Sequence, residues 1–415
     1  MFVRIGIYVG GLGQSFHDDT VEKYALRIKN ELNYTHTGES FDIKTEKVAY
    51  TDEKESTVVS IFKKNENDNA EEEGAIVYKL YDFKYNDILT EKFKERNILI
   101  KNLILFWLVV KKFPQIVLRL FKYNSFSRPY LTFYAFFILF IISLAILFFI
   151  PASLDIATNL SASSEFKNLM SVFRLDVIID SINSFLVKIN SPTVKDLFKA
   201  GVPITALILL IVPESKTIIT SLATEFVCVD QYIENGDRSQ IILGNLDLLV
   251  EYIAENEPNS KIHFHCYSFG SIVVKDLLFP VGTIPSPNLI NLSKLLVTVG
   301  TPYEFVNAYY PSYYADRCNV MEDRMKWFNI YSLSDALATN FRKDSKKGDA
   351  EFGIGGLKIV PINLNYEVSA SKNMNIFNFF TLYGIRVHKY YWDISTQGQS
   401  CVRLLMSKMK ENDFI

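Results

Sequence analysis

An α/β fold built on a mostly parallel sheet is predicted by three features of this 415-residue chain. Short apolar runs end in Gly or Pro, amphipathic helical periods separate them, and a serine turn joins one such run directly to the next helix.

The first element is a strand over 2–9, Phe-Val-Arg-Ile-Gly-Ile-Tyr-Val, which opens into Gly10-Gly11-Leu12-Gly13-Gln14-Ser15 and a helix starting near Asp18 or Asp19. A glycine-rich loop after an early strand offers backbone N–H groups to a developing negative charge, and Gly11 and Leu12 are the donors expected here. The same glycines fail as a dinucleotide fingerprint, because Phe16 occupies the third glycine position, and no Gly-Lys-Ser/Thr follows as a phosphate loop requires. A plain strand-to-helix turn is the alternative. Between 52 and 73, eight acids face three lysines, the pattern of a solvated hairpin edge over 57–63 and a loop over 65–74. Residues 75–83 then return as a strand.

From 230 to 255, Tyr232, Ile233, Ile241, Ile242, Leu246, Leu249, Val250 and Ile253 recur mostly at spacings of three and four, an amphipathic helix closed by the turn-rich 256–260. Residues 261–272, Lys-Ile-His-Phe-His-Cys-Tyr-Ser-Phe-Gly-Ser-Ile, then read as a strand running into a Ser-Xaa-Gly turn and a helix over 271–278. A second buried strand, 295–299, is stopped by Gly300 and Pro302, and 328–331 reads as a third.

The turn makes Ser268 the candidate nucleophile, since a tight strand-to-helix elbow frees the hydroxyl and aims the following N–H, that of Phe269, at a bound oxygen. The usual pentapeptide is Gly-Xaa-Ser-Xaa-Gly, and Cys266 replaces its first glycine. An ordinary strand end is the alternative. A serine needs a general base and a carboxylate to orient it. Of the five histidines, His17, His36, His263, His265 and His388, only His388 follows the turn. His263 and His265 alternate along the strand and read as packing or hydrogen-bonding residues at a sheet face. Asp335, in the loop after 328–331, is the best-placed acid; Asp316 and Asp323 compete from a polar stretch before that strand. Asp335 also suits the N-cap of a short helix over 336–341.

The turn Tyr267-Ser268-Phe269-Gly270, the strand Val297-Thr298-Val299 with Gly300-Thr301-Pro302, the Asn329-Ile330-Tyr331 strand with Asp335 beyond it, and His388 followed by Tyr390, Tyr391 and Trp392 together resemble an α/β-hydrolase of the lipase/esterase type. The order of these motifs carries the resemblance, which covers 1–85 and roughly 217–405. It implies ester hydrolysis through an acyl-serine intermediate, with no cofactor or metal.

The middle of the chain lies outside that pattern. Residues 130–150 form an uncharged run of 21, long enough to cross a bilayer. A shorter run, 200–213, extended to about 196, reads as a short span, a re-entrant segment or a buried helix. If the sheet is built from both sides of this insertion, the number of crossings must be even, which predicts a helical hairpin. The mixed segment 98–123 has interrupting lysines and a single Trp, which suits a helix lying in the interface. From 92 to 128 there are nine Lys or Arg against one Glu, which puts this flank and the sheet on the cytoplasmic side. The organisation expected is therefore 1–90 and 217–415 as the sheet domain, with 91–216 a helical membrane insertion; 155–199 would connect on the far side.

A net charge of −2 makes no case for a nucleic-acid partner, and 49% hydrophobic residues fit a membrane insertion. Four cysteines without paired or metal-type spacing fit a reducing compartment, and the early Arg4 and Gly6 break any signal-peptide run. The expectation is a membrane-anchored serine hydrolase acting on a lipid or acyl ester. Two other classes stay open: a non-catalytic membrane-tethered interaction module with a degenerate triad, and a channel-like or membrane-disrupting effector.

Overall fold

The computed structural model describes residues 4–12, 20–64, 74–96, 98–123, 224–344, 346–367, 384, 387–393 and 395–415. In chain order these include β1 (Arg4–Val9), α1 (Val21–Thr35), β2 (Phe41–Ala49), β3 (Glu55–Lys63), β4 (Ile76–Phe83), α2 (Asn86–Lys94) and α3 (Ile98–Tyr123). A π-helical turn (Gln231–Asn235), α4 (Asp237–Asn256), β5 (Lys261–Tyr267), α5 (Gly270–Leu278), α6 (Pro287–Leu292), β6 (Ser293–Val299) and α7 (Tyr303–Tyr309) follow. The last are β7 (Lys326–Tyr331), β8 (Ile362–Asn365), a 3-10 turn (Val387–Lys389) and α8 (Cys401–Glu411).

The strands join in the order β2-β3-β4-β1-β5-β6-β7-β8. From β4 to β8 all neighbours are parallel, while β2 and β3 extend the β4 edge as an antiparallel meander. The α/β class and the mostly parallel sheet flanked by helices are thus as the periodicities predict. Parallel strands covered on both faces need near-continuous apolar runs, and β6 is buried along almost its whole length.

Local departures have local causes. The segment 57–63 is not a solvated edge: Val58, Val59 and Ile61 of β3 are fully buried. The edge is β2, which pairs outside β3 from Phe41 opposite Lys63 to Ala49 opposite Glu55. Its exposed Lys44-Thr45-Glu46-Lys47 centre is the kind of charged run that discourages edge-to-edge pairing. The helix expected near 18–19 starts at Val21, where Thr20 caps it by accepting the Lys23 N–H at 3.4 Å; residues 13–19 lie outside the described residues. The helix read over 230–255 is broken by the π turn and by Gly236, whose φ of 70° is left-handed.

Tyr24, Ala25, Ile28 and Leu32 of α1 share one core with Leu405, Met406 and Met409 of α8 against one sheet face. Each fully buried Ile or Leu contributes about 1.5–3 kcal/mol. By strand alternation His263, His265 and Tyr267 of β5 face this layer, and Ile262, Phe264 and Cys266 face the layer of α4 and α5.

Residues Met1–Leu89 and Gln231–Ile415 belong to the compact unit that carries the sheet, and Thr90–Leu118 belong to a second unit. Within the second, α3 buries Leu105, Leu108, Lys112 and Ile116 and exposes Phe106, Trp107, Val110 and Phe113. Lys112 is paired with Asp230 at 3.2 Å. No helix among the described residues is long and apolar enough to cross a membrane. The expected spans, 130–150 and 196–213, and the connection 155–199 lie outside the described residues.

Candidate active site

At the carboxyl end of β5 the chain reverses at Ser268 with a φ of 50°, a left-handed value that a residue with a side chain holds only under constraint. The constraint comes from both sides. The Ser268 N–H donates to the Val299 carbonyl at 2.9 Å, and the Ser271 N–H donates to the Ser268 carbonyl at 3.0 Å. Gly270 admits no larger residue, because a Cβ there would lie 2.4 Å from the carbonyl oxygens of both Val9 and Gly10. Helix α5 is therefore pressed against the end of β1. Cys266, standing where the usual pattern has its first glycine, lies in register between Val9 and Thr298, and the elbow forms with the thiol in place. Burial pushes that thiol up, so it is a packed, protonated group with no nucleophilic role.

The three predicted side chains meet. His388 Nε2 lies 2.7 Å from Ser268 Oγ, and its Nδ1 lies 2.7 Å from Asp335 Oδ2. Asp335, not Asp316 or Asp323, holds the imidazole. The Asp335 side chain is fully buried and its oxygens are shared out: Oδ2 also accepts the Tyr391 hydroxyl at 2.9 Å, and Oδ1 accepts the Leu337 N–H at 2.9 Å. The helix over 336–341 does not form, because its N–H groups are used elsewhere. Ala336 donates to the Gly384 carbonyl and Thr339 to the Thr301 carbonyl, each at 2.9 Å. The first of these ties the acid loop to the segment bearing His388.

That segment is held from three directions. Tyr267 stacks on the His388 ring, centroids 5.5 Å apart, and donates its hydroxyl to the His388 carbonyl. Arg27 of α1 donates to the Asp393 carbonyl at 2.6 Å and lies over the Trp392 ring. Gly300, with φ of 59°, leaves space for the imidazole, since a Cβ would meet His388 Cε1 at 3.0 Å. The sequence reading missed Gly300, Tyr267 and Tyr391. Tyr391 carried a readable signal, lying three residues beyond His388, where one helical turn brings it beside the same carboxylate.

Two of the expected oxyanion donors, Gly11 and Leu12, follow directly on Gly10, and the third, Phe269, follows Ser268 in the elbow. Gly10 abuts Gly270, and the Tyr85 hydroxyl fixes the Gly10 carbonyl at 2.9 Å. Among the described residues the backbone N–H groups of Gly11, Leu12 and Phe269 donate to no acceptor. Such uncommitted donors are what a developing oxyanion requires.

Behind the serine lies a buried lysine. Lys275 Nζ is 3.2 Å from Thr301 Oγ1, and Ser271 Oγ is 2.6 Å from both Thr301 Oγ1 and the Ser268 carbonyl. One hydroxyl proton cannot serve two acceptors, so the chain runs in one direction: Lys275 donates to Thr301, Thr301 to Ser271, and Ser271 to the Ser268 carbonyl. The rings of Trp327, Tyr303 and Phe341 surround the nitrogen at 4.7, 5.2 and 5.2 Å. Burial pushes the Lys275 ammonium down to about 7 from its ordinary 10.5. Above pH 7 the unfolded chain thus keeps a proton that the folded chain has lost, and stability climbs with pH through that window, by at most about 1.4 kcal/mol per pH unit. Urea unfolding at several pH values should show a flatter climb in Lys275→Met; equal slopes in both proteins would refute the assigned cost of burying the charge.

Comparison of the chain with family models, with curated proteins and with solved structures returns no match.

Proposed function

We propose that the chain is a serine hydrolase of the α/β-hydrolase type that cleaves an acyl ester, with lipid esters as its substrate class. The observation that carries the reading is a left-handed serine whose Oγ lies 2.7 Å from an imidazole held at 2.7 Å by a buried carboxylate. In the first step Ser268 Oγ bonds the acyl carbon while His388 Nε2 takes its proton, and the carbonyl electron pair moves onto oxygen. The N–H groups of Gly11, Leu12 and Phe269 stabilise that oxyanion. Collapse breaks the ester bond, and the leaving alcohol takes the proton from His388. Water then attacks the acyl-serine by the same route, releasing the acid and restoring Ser268. The Asp335 carboxylate accepts from Nδ1, which orients the ring and offsets the imidazolium charge.

A lipid-type ester is favoured by α3. Its exposed Phe106, Trp107, Val110 and Phe113 make an apolar row with Lys101 and Lys111 in the same helix, the composition of a helix lying in a membrane interface. On this reading the enzyme is membrane-anchored, with the sheet on the side of the basic 92–128 flank. A non-catalytic module with a degenerate triad needs Ser268, Asp335 and His388 apart, and their contact distances argue against it.

Incubating the purified chain with a fluorophosphonate probe, followed by peptide mass spectrometry, is expected to find the adduct on Ser268. No adduct, or one on other serines alone, would overturn the reading.

A further inference from the structure

At the end of the sheet opposite Ser268, the amino ends of four neighbouring parallel strands converge on a cavity of about 640 Å³. Each brings a cation: Arg4 from β1, Lys261 from β5, Lys294 from β6 and Lys326 from β7, with Arg324 just before β7. Arg4 and Lys261 are direct cross-strand partners, on backbones about 4.8 Å apart. Two carboxylates, Asp323 and Asp413, share the cavity, and neither forms an ion pair among the described residues. Five cations therefore face two anions. Lys326 Nζ also donates to Asn412 Oδ1 at 2.7 Å, and the excess of cationic side chains around one cavity attracts an anion.

A second feature points the same way. His263 lines this cavity, is 1% exposed, and its Nε2 has no hydrogen-bond partner among the described residues. Its Nδ1 begins a buried chain, 2.8 Å to the Tyr78 hydroxyl, 2.8 Å on to His265 Nε2, and 2.8 Å from His265 Nδ1 to the Tyr24 hydroxyl. Burial holds both imidazoles neutral, His265 down at about 3 and His263 well below its usual range.

Two proton arrangements fit those distances. If His263 Nδ1 donates, the chain runs towards Tyr24 and strands the Tyr24 proton as well as a bare acceptor at His263 Nε2. If Tyr24 donates, every proton has an acceptor but one, the N–H at His263 Nε2. The second arrangement leaves fewer buried groups unsatisfied, so it is the stable one. A lone buried donor is thereby presented at the wall of a cationic cavity. Phe414 meets the His263 ring edge-on at 5.2 Å and lines the same cavity.

We propose that this cavity binds a phosphate group, free or as a monoester, with His263 Nε2–H donating to one oxygen, the strand-end cations neutralising the others, and Phe414 turning aside to admit it. Phosphate suits the site because it carries more than one negative charge and several strong acceptor oxygens, where a carboxylate carries one charge and two.

Isothermal titration of the full-length chain in neutral detergent tests this with two probes, inorganic phosphate and dioctanoyl phosphatidic acid, with dioctanoyl phosphatidylcholine as the control lipid. Saturable binding of either phosphate probe, weakened about tenfold or more in the double variant Arg4→Gln/Lys294→Gln, is the expected result. Binding of inorganic phosphate identifies a free phosphate site; binding of the phosphatidic acid alone identifies a lipid headgroup. Thermal melting without phosphate shows that the double variant is folded, and His263→Phe provides a second variant that removes the donor while leaving the cations. Binding of neither probe, binding unchanged in both variants, or equal binding of phosphatidylcholine would overturn the proposal.

Discussion

Replacing Ser268 with alanine is expected to lower kcat towards a short acyl ester by about 10⁶ and to abolish fluorophosphonate labelling. The loss is that large because the remaining pair, His388 and Asp335, has no hydroxyl left to activate and no acyl-enzyme can form. What survives is the contribution of the oxyanion donors and substrate binding. Folding should be nearly unaffected. Alanine and serine pay similar costs at a φ of 50°, and the hydrogen bonds that hold the elbow use the Ser268 backbone. Melting by circular dichroism alongside steady-state kinetics separates the two effects; a folded variant with wild-type turnover would sink the assignment of Ser268.

Asp335→Asn is the second large effect, about 10⁴ in kcat with the fold retained. The carboxylate accepts three donors, from His388, Tyr391 and Leu337. An amide has one oxygen and an NH₂ group, so it cannot accept all three. With its oxygen kept on the Leu337 N–H, the NH₂ faces His388 Nδ1 and forces the tautomer protonated at Nε2. That imidazole donates to Ser268 instead of taking its proton. The imidazole ¹⁵N shifts measured by NMR should report the exchange of tautomers. A variant keeping both the wild-type tautomer and its rate would show that Asp335 does not orient the base.

The site was legible because its parts are local and ordered. A strand that runs without pause into Ser268-Phe269-Gly270 leaves little else for the chain to do there, and a single histidine after it removes the choice of base. What escaped notice depends on pairs distant in sequence. Strand β2 has a charged centre and no apolar run, and only its partner β3 makes it a strand. The short helix that was the alternative role for Asp335 does not form because its N–H groups found carbonyls at Gly384 and Thr301, which no local propensity encodes. Gly300 looked like a strand terminator. Its φ and its distance to His388 give it a further role, as the space into which the imidazole fits. The basic cavity was invisible because its cations come one at a time from separate strand ends.

The place of β1 in the sheet sets an order on how the protein is made. Ile5 pairs with Lys79 on one side and with Ile262 on the other, so its first partner is synthesised early and its second very late. At typical translation speeds the interval between them is on the order of ten to forty seconds. For that time the nascent chain can assemble β2-β3-β4-β1, with the apolar β1 as its open rim and the whole insertion still to emerge. An unpaired rim of this kind is a template for mispairing with other chains, and it is β5, the strand that carries the serine elbow, whose arrival closes it.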